Sequence, residues 1–89
     1  MYVHCSCRDL SGCVFSGCDL QEARLGRATL DRTIFEKADL RGADLRGASL
    51  KSAQFIQADL SRAMLSEARI EGALFIRCTM DGADLTRSN

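Results

Sequence analysis

The fold is decided by the stretch Ala38-Asp39-Leu40-Arg41-Gly42-Ala43-Asp44-Leu45-Arg46-Gly47-Ala48-Ser49-Leu50. It repeats one five-residue unit, in which a small residue, a polar residue and a leucine are followed by two spacers. The same unit continues in both directions without an insertion. Every residue whose number is a multiple of five, from Cys5 to Leu85, is apolar or cysteine, and a small residue stands two places before it from Cys13 to Ala83. Such a repeat must be interpreted before any other feature of the chain.

A period of five fits neither an α-helix nor a flat β-strand. A helix turns by about 100° per residue, so the leucines would be spread around its axis. In a strand, residues two apart share a face, but an odd period would send successive leucines to opposite faces. The chain must therefore bend once in every unit, with the small residue and the leucine of each unit on the inside.

The phenylalanines indicate how many units make one coil. All four are spaced by twenty residues, so four five-residue sides per coil would stack their rings above one another. Six of the seven glycines fall two places after a central residue, where a tight turn with positive φ is expected. The predicted core contains Phe15, Phe35, Phe55, Phe75, Leu20, Leu40, Leu45, Leu60, Ala38, Ala43, Ala48 and Ala58.

These features resemble the pentapeptide-repeat family, whose unit is alanine, aspartate or asparagine, leucine and two variable residues. The resemblance implies an all-β fold, a right-handed, four-sided (quadrilateral) parallel β-helix solenoid of about four and a half coils of 20 residues, with residues 1–89 as a single domain. The chain departs from the family pattern at its start, where Cys5, Arg8, Cys13 and Cys18 replace leucine or alanine. An irregular, cysteine-rich first coil is therefore expected over residues 1–20.

Composition argues against several classes of function. Twelve basic and twelve acidic residues leave no net charge, which disfavours both a basic nucleic-acid binder and a strongly acidic mimic of nucleic acid. No apolar run approaches the roughly 20 residues that a membrane span needs, and the first residues lack the pattern of a secretory signal. Five cysteines, an odd number, suit a disulfide framework poorly, so a reducing, cytoplasmic setting is expected.

The N-terminal cysteines are the one cluster with ligand character. His4, Cys5 and Cys7, with Cys13 and Cys18, offer soft ligands, but the C-x-C spacing differs from the usual zinc pair. Cys13 and Cys18 occupy positions that the repeat reserves for small inward residues, where cysteine serves as a small hydrophobe. Cys7 is expected to point outward as a reactive thiol. No catalytic, cofactor-binding or metal site is predicted, and an enzyme is not expected.

Sorting the outward residues by side of the coil distinguishes two surfaces. Asp19, Asp39 and Asp59 form a ladder, for which bonding to turn N–H groups is favoured over a cation site. The side that carries the phenylalanines also carries large aliphatic residues at outward positions, which favours contact with a partner over plain β-propensity. We call this surface the aliphatic face and define it by Val14, Ile34, Ile56, Leu74 and Ile76.

The sequence therefore predicts a non-catalytic scaffold or protein-interaction module without a cofactor. The expected partner is another protein or a second copy of the chain, bound through an end of the coil or through the aliphatic face, with no direct nucleic-acid or membrane contact. The alternative comes from the resemblance: well-known pentapeptide-repeat proteins mimic DNA and modulate DNA gyrase. The neutral charge and the short length of this chain disfavour that alternative.

Overall fold

The computed structural model describes residues 8–88, which form a four-sided coil wound about one axis. Parallel bridges join residues twenty apart on every side, as between Asp19 and Asp39 and between Asp44 and Met64. On one side the bridges extend into two short parallel strands, β1 (Gln54–Ile56) and β2 (Leu74–Ile76), with Phe55 opposite Phe75. Within residues 8–88, no helix is long and apolar enough to cross a membrane.

Main-chain hydrogen bonds join each coil to the next in a fixed register. The N–H of a central residue donates to the carbonyl nineteen residues later, as from Leu20 to Asp39 at 2.7 Å. The N–H of the residue before a central residue donates in the opposite direction, as from Asp44 to Ala23 at 2.9 Å. These bonds depend on the backbone alone, so the coil satisfies its buried polar groups whatever side chains it presents outward.

A left-handed backbone conformation lies at each corner, two residues after each central residue. Six of these corners are glycine, as the sequence predicted, but ten are other residues, among them Arg27 and Lys37 with φ of 60° and 57°. At most corners the N–H one residue further on donates to the central carbonyl, as from Ala43 to Leu40 at 3.0 Å. Positive φ at the third residue of a hydrogen-bonded turn is the signature of type II. Closing the coil thus imposes this conformation even where the sequence carries no glycine.

The interior is apolar and closely filled. The central residues from Leu20 to Leu65 and the small residues from Ala23 to Ala68 are buried. Thr33, the one buried polar residue of the described chain, donates its hydroxyl hydrogen to the Leu30 carbonyl at 2.7 Å. The phenylalanine rings stack as predicted, with centroids 4.8 to 5.3 Å apart. The predicted core is buried except for Phe15 and Phe75, which are partly exposed because each stacks on only one other phenylalanine.

The beginning of the described chain is more regular than the sequence suggested. Residues 8–20 make the same bridges and inter-coil hydrogen bonds as later coils, beginning with Asp9 opposite Thr29. The irregularity expected over residues 1–20 therefore does not extend over residues 8–20. Cys13 and Cys18 keep the register because a thiol occupies about the same space as the side chains usual at that position, although both are only half-buried.

Candidate interaction surface

The aliphatic face consists of two columns of outward residues on either side of the stacked phenylalanines. The bridges place Val14, Ile34, Gln54 and Leu74 in one column. The other column contains Ile56 directly opposite Ile76. The two columns flank Phe55 and Phe75, so they point to the same side of the coil.

Exposure divides the five residues of this face into two groups. Val14, Leu74 and Ile76 are exposed, at 62%, 48% and 44%, whereas Ile34 and Ile56 are half-buried. Gln54 lies between Ile34 and Leu74, so the column is not continuously aliphatic. The structure thus brings together Ile56, Leu74 and Ile76 as one contiguous patch, and Val14 with Ile34 as a second.

This side of the coil also differs from the others in its backbone. The turns after Phe35, Phe55 and Phe75 lack the hydrogen bond that closes the other turns of the described chain. The Cys78 thiol instead donates to the Phe55 carbonyl at 2.9 Å. The backbone here is extended enough to form β1 and β2. The sequence offers no obvious signal of this difference apart from the phenylalanine column itself.

The aspartates of the ladder on the neighbouring side accept hydrogen bonds from the main chain of their own turns. Asp19, Asp39 and Asp59 each accept a hydrogen bond from the main-chain N–H two residues further on, at 3.0 to 3.3 Å. Arg41 also donates from its guanidinium to both Asp39 oxygens, at 2.8 and 2.7 Å, and lies 3.9 Å from Asp59. The side-chain hydrogen bond from Arg41 is the main cause that lowers the pKa of Asp39. The favoured interpretation of a turn-bonding ladder is confirmed.

The same arrangement recurs on the next side of the coil. Arg46 donates to both oxygens of Asp44, at 2.9 and 2.8 Å, and this bond is the main cause that lowers the pKa of Asp44. An open depression of about 360 Å³ lies beside Asp44 and is also lined by Glu22, Arg24 and Met64. Gly42 completes its lining.

The cysteine hypothesis concerns mainly residues outside the described part of the chain. His4, Cys5 and the predicted reactive thiol Cys7 lie outside residues 8–88. Within residues 8–88, Cys13, Cys18 and Cys78 are free thiols. No group of three or more His, Cys, Asp or Glu side chains in that range is placed to hold a metal ion.

Comparison with known proteins identifies the coil. The family model described as "Pentapeptide repeat region" matches residues 4–89. The chain is a pentapeptide repeat protein. Members of this family form right-handed quadrilateral β-helices, so the predicted fold is confirmed. No curated protein matches the chain.

Solved structures of other pentapeptide repeat proteins superpose on this one. A protein from Nostoc PCC 7120 is 33% identical, with a TM-score of 0.85 over 88% of this chain and 64% of its own. A protein from the thylakoid lumen of Arabidopsis thaliana is 31% identical, with a TM-score of 0.76 over 99% of this chain and 64% of its own. A trypsin-treated form of QnrB1, a plasmid-mediated fluoroquinolone resistance protein, is 26% identical, with a TM-score of 0.51 over 96% of this chain and 46% of its own. The chain therefore spans less than two thirds of the length of each of these proteins.

Proposed function

We propose that this pentapeptide repeat domain is a non-catalytic protein-interaction module that binds its partner through the aliphatic face. The observation that supports the proposal is the exposure of Val14, Leu74 and Ile76 on a single side of the coil. On the other sides of the coil formed by residues 8–88, the one large apolar residue at an outward position is Met64, which is half-buried. Clustered exposed aliphatic residues on a small protein mark contact surfaces, whereas isolated ones need no explanation.

A purely structural explanation makes a different prediction. Aliphatic residues favour extended backbone, and β1 and β2 lie on this side. If that were their whole role, replacing them would change the stability of the coil and leave partner binding intact. The interaction proposal instead requires a loss of binding in a protein that still folds.

The test compares two pairs of substitutions at equivalent positions on opposite sides of the coil. The variant Leu74→Lys/Ile76→Lys changes the two residues that flank Phe75, and the control Met64→Lys/Ser66→Lys changes the two that flank Leu65. Each variant gains two positive charges. The wild-type protein and both variants are immobilised, cross-linked in extract from the source cells and analysed by quantitative mass spectrometry.

The expected result is a set of proteins retained by the wild type and the control but lost from Leu74→Lys/Ile76→Lys. Circular dichroism establishes that both variants keep the folded spectrum. The proposal fails if folded Leu74→Lys/Ile76→Lys retains the same proteins as the wild type. Light scattering on the same samples reports whether the wild type binds a second copy of itself.

A second candidate function is modulation of DNA gyrase by mimicry of DNA. The similarity to QnrB1 over 96% of this chain and the ladder from Asp19 to Asp59 favour it. The zero net charge and the pairing of Asp39 with Arg41 weigh against it, because they reduce the negative field of that side. A gyrase supercoiling assay with and without a fluoroquinolone tests this candidate. Identical activity with excess protein would exclude it.

A further inference from the structure

We infer that the aliphatic face binds a segment of another protein in which an apolar stripe is flanked by acidic residues. This inference rests on the proposed function and adds to it the charge of the partner. It also selects a different protein, rather than a second copy of the chain, as the occupant of the face.

The charges around the aliphatic face are predominantly positive. The face is bounded by two columns of corner residues, one containing Arg32 and the other containing Lys37 and Arg77. Among the outward positions of the face and its two bounding columns, Glu36 is the sole carboxylate. The patch of Ile56, Leu74 and Ile76 therefore lies beside a positively charged edge. An acidic partner would complement that edge, and complementary charge favours both encounter and specificity.

These cations have no partner within the described chain. No carboxylate among residues 8–88 lies within 4.0 Å of Arg32, Lys37 or Arg77, and all three are exposed. Beside the aspartate columns, Arg41 and Arg46 form ion pairs at 2.7 and 2.8 Å, whereas Arg62 forms none within residues 8–88. The charge of the unpaired cations can thus engage a partner without breaking an existing ion pair.

The edge that contains Lys37 and Arg77 is better suited to an acidic partner than the edge that contains Arg32. Arg32 is among the charges that lower the pKa of Asp9 on the adjacent side, although the hydrogen bonds from Ser11 are the larger causes. Lys37 and Arg77 stand in the same corner column with Gln57 between them, beside the column that contains Ile56 and Ile76. We therefore expect the acidic groups of the partner to lie along this edge.

Charge and area both argue against a second copy as the occupant. Two aliphatic faces packed together would bring the cations Arg32, Lys37 and Arg77 of both copies into one interface, with only Glu36 from each copy to offset them. The dimensions of the molecule, 24 × 22 × 20 Å, allow one face to bury only about 400 Å². Two such faces fall below the roughly 1,200 Å² of a stable interface, whereas a short segment bound transiently needs no more.

The experiment uses two designed helical peptides as probes. Both are about five turns long and share the same leucine stripe, but one has glutamate and the other lysine at the flanking positions. Each peptide carries a fluorophore, and binding to the full chain is followed by fluorescence anisotropy up to about 200 µM protein. We expect the acidic peptide to bind the wild-type protein about tenfold more tightly than the basic peptide.

Two charge-reversal variants locate the effect on the aliphatic face. The test variant is Lys37→Glu/Arg77→Glu, and the matched control is Arg27→Glu/Arg62→Glu. All four positions are corners with positive φ, and the two variants have the same net charge. Glu67 naturally occupies an equivalent corner, so glutamate is compatible with this conformation. The test variant should weaken binding of the acidic peptide about tenfold, and the control less than threefold.

Several outcomes would overturn the inference. Equal affinity for the two peptides, or an equal loss in the two charge variants, removes the charge preference but leaves the proposed function standing. Failure of the acidic peptide to bind at the highest concentration removes the inference as well. Sedimentation equilibrium that shows a dimer dissociated by Leu74→Lys/Ile76→Lys would assign the face to a second copy instead. The proposed function itself is tested separately, by the cross-linking comparison described above.

Discussion

Truncation of Phe55 should be among the most damaging single changes to the stability of the coil. Its ring is fully buried and stacks between Phe35 and Phe75, with centroids 4.8 Å away on both sides. Replacing a buried phenylalanine with alanine costs about 3–5 kcal/mol, from lost transfer energy and from the cavity that remains. A domain of this size has a total stability at the lower end of about 5–15 kcal/mol, so Phe55→Ala should leave little of it.

The partly exposed end of the same stack provides the internal control. Phe75 stacks on one ring and is only half-buried, so Phe75→Ala should cost about half as much as Phe55→Ala. Phe55→Leu, which keeps most of the volume but loses the stacking, should cost about 1–2 kcal/mol. The free energy of unfolding is measured by urea denaturation followed by circular dichroism. Equal losses at the two positions would refute the reasoning, because burial is what distinguishes them.

Three further predictions concern the packing, the corners and the ion pairs. Ala48→Leu should destabilise the coil by about 3 kcal/mol or prevent folding, because its Cβ faces a filled interior; a urea midpoint equal to that of the wild type would contradict this. Gly12→Ala should lower the stability by about 1 kcal/mol because φ is 77° there. Gly42→Ala should lower the melting temperature more than Gly12→Ala does, because φ is also positive there and the added Cβ would lie 3.3 Å from Cγ of Glu22. Equal losses of melting temperature in the two variants would contradict the contact. The lowered pKa of Asp44 means that its bond to Arg46 stabilises the fold above the ordinary aspartate pKa of 3.8 and that this contribution is lost as the pH falls below it. Asp44→Asn should therefore melt below the wild type at pH 7, the difference should shrink as the pH falls below 3.8, and a constant difference would argue against this role.

Most of the fold could be predicted because a strict period leaves the chain one consistent arrangement. The leucine at every fifth position fixed which side chains point inward, and the spacing of Phe15, Phe35, Phe55 and Phe75 fixed four sides per coil. Both conclusions depend on covalent geometry and on hydrophobic burial, which act in the same way in every unit. The backbone hydrogen bonds then follow without any contribution from the outward side chains.

The corners were only partly predictable. Glycine marked six of them, but positions such as Arg27 and Gln57 adopt the same positive φ without that signal. An ordinary residue pays roughly 1–2 kcal/mol to enter the left-handed region. Closure of the coil and the inter-coil hydrogen bonds impose that conformation on it. The local sequence preference is overridden by an interaction between residues twenty positions apart.

The candidate interaction surface was predicted in composition but not in arrangement. The sequence placed Val14, Ile34, Ile56, Leu74 and Ile76 on one side of the coil. It also placed Gln54 between Ile34 and Leu74, but it could not show that Ile34 and Ile56 are half-buried, because exposure depends on the packing of neighbouring coils. Nor could it distinguish paired from unpaired cations, since Arg41 has a carboxylate within 4 Å and Arg62, on the same side of the coil, has none.

The coil, its core and the sorting of residues into sides could all be read from the chain, because each of these follows from a period that no unit breaks. The tertiary structure alone decided which outward groups remain available to a partner. Asp39 and Asp44 are engaged by the arginines two residues further on, whereas the charges beside Ile56, Leu74 and Ile76 stay unpaired. Both ion pairs join residues two apart in one unit, and the repeat specifies their positions but not the side-chain conformations that bring guanidinium and carboxylate together.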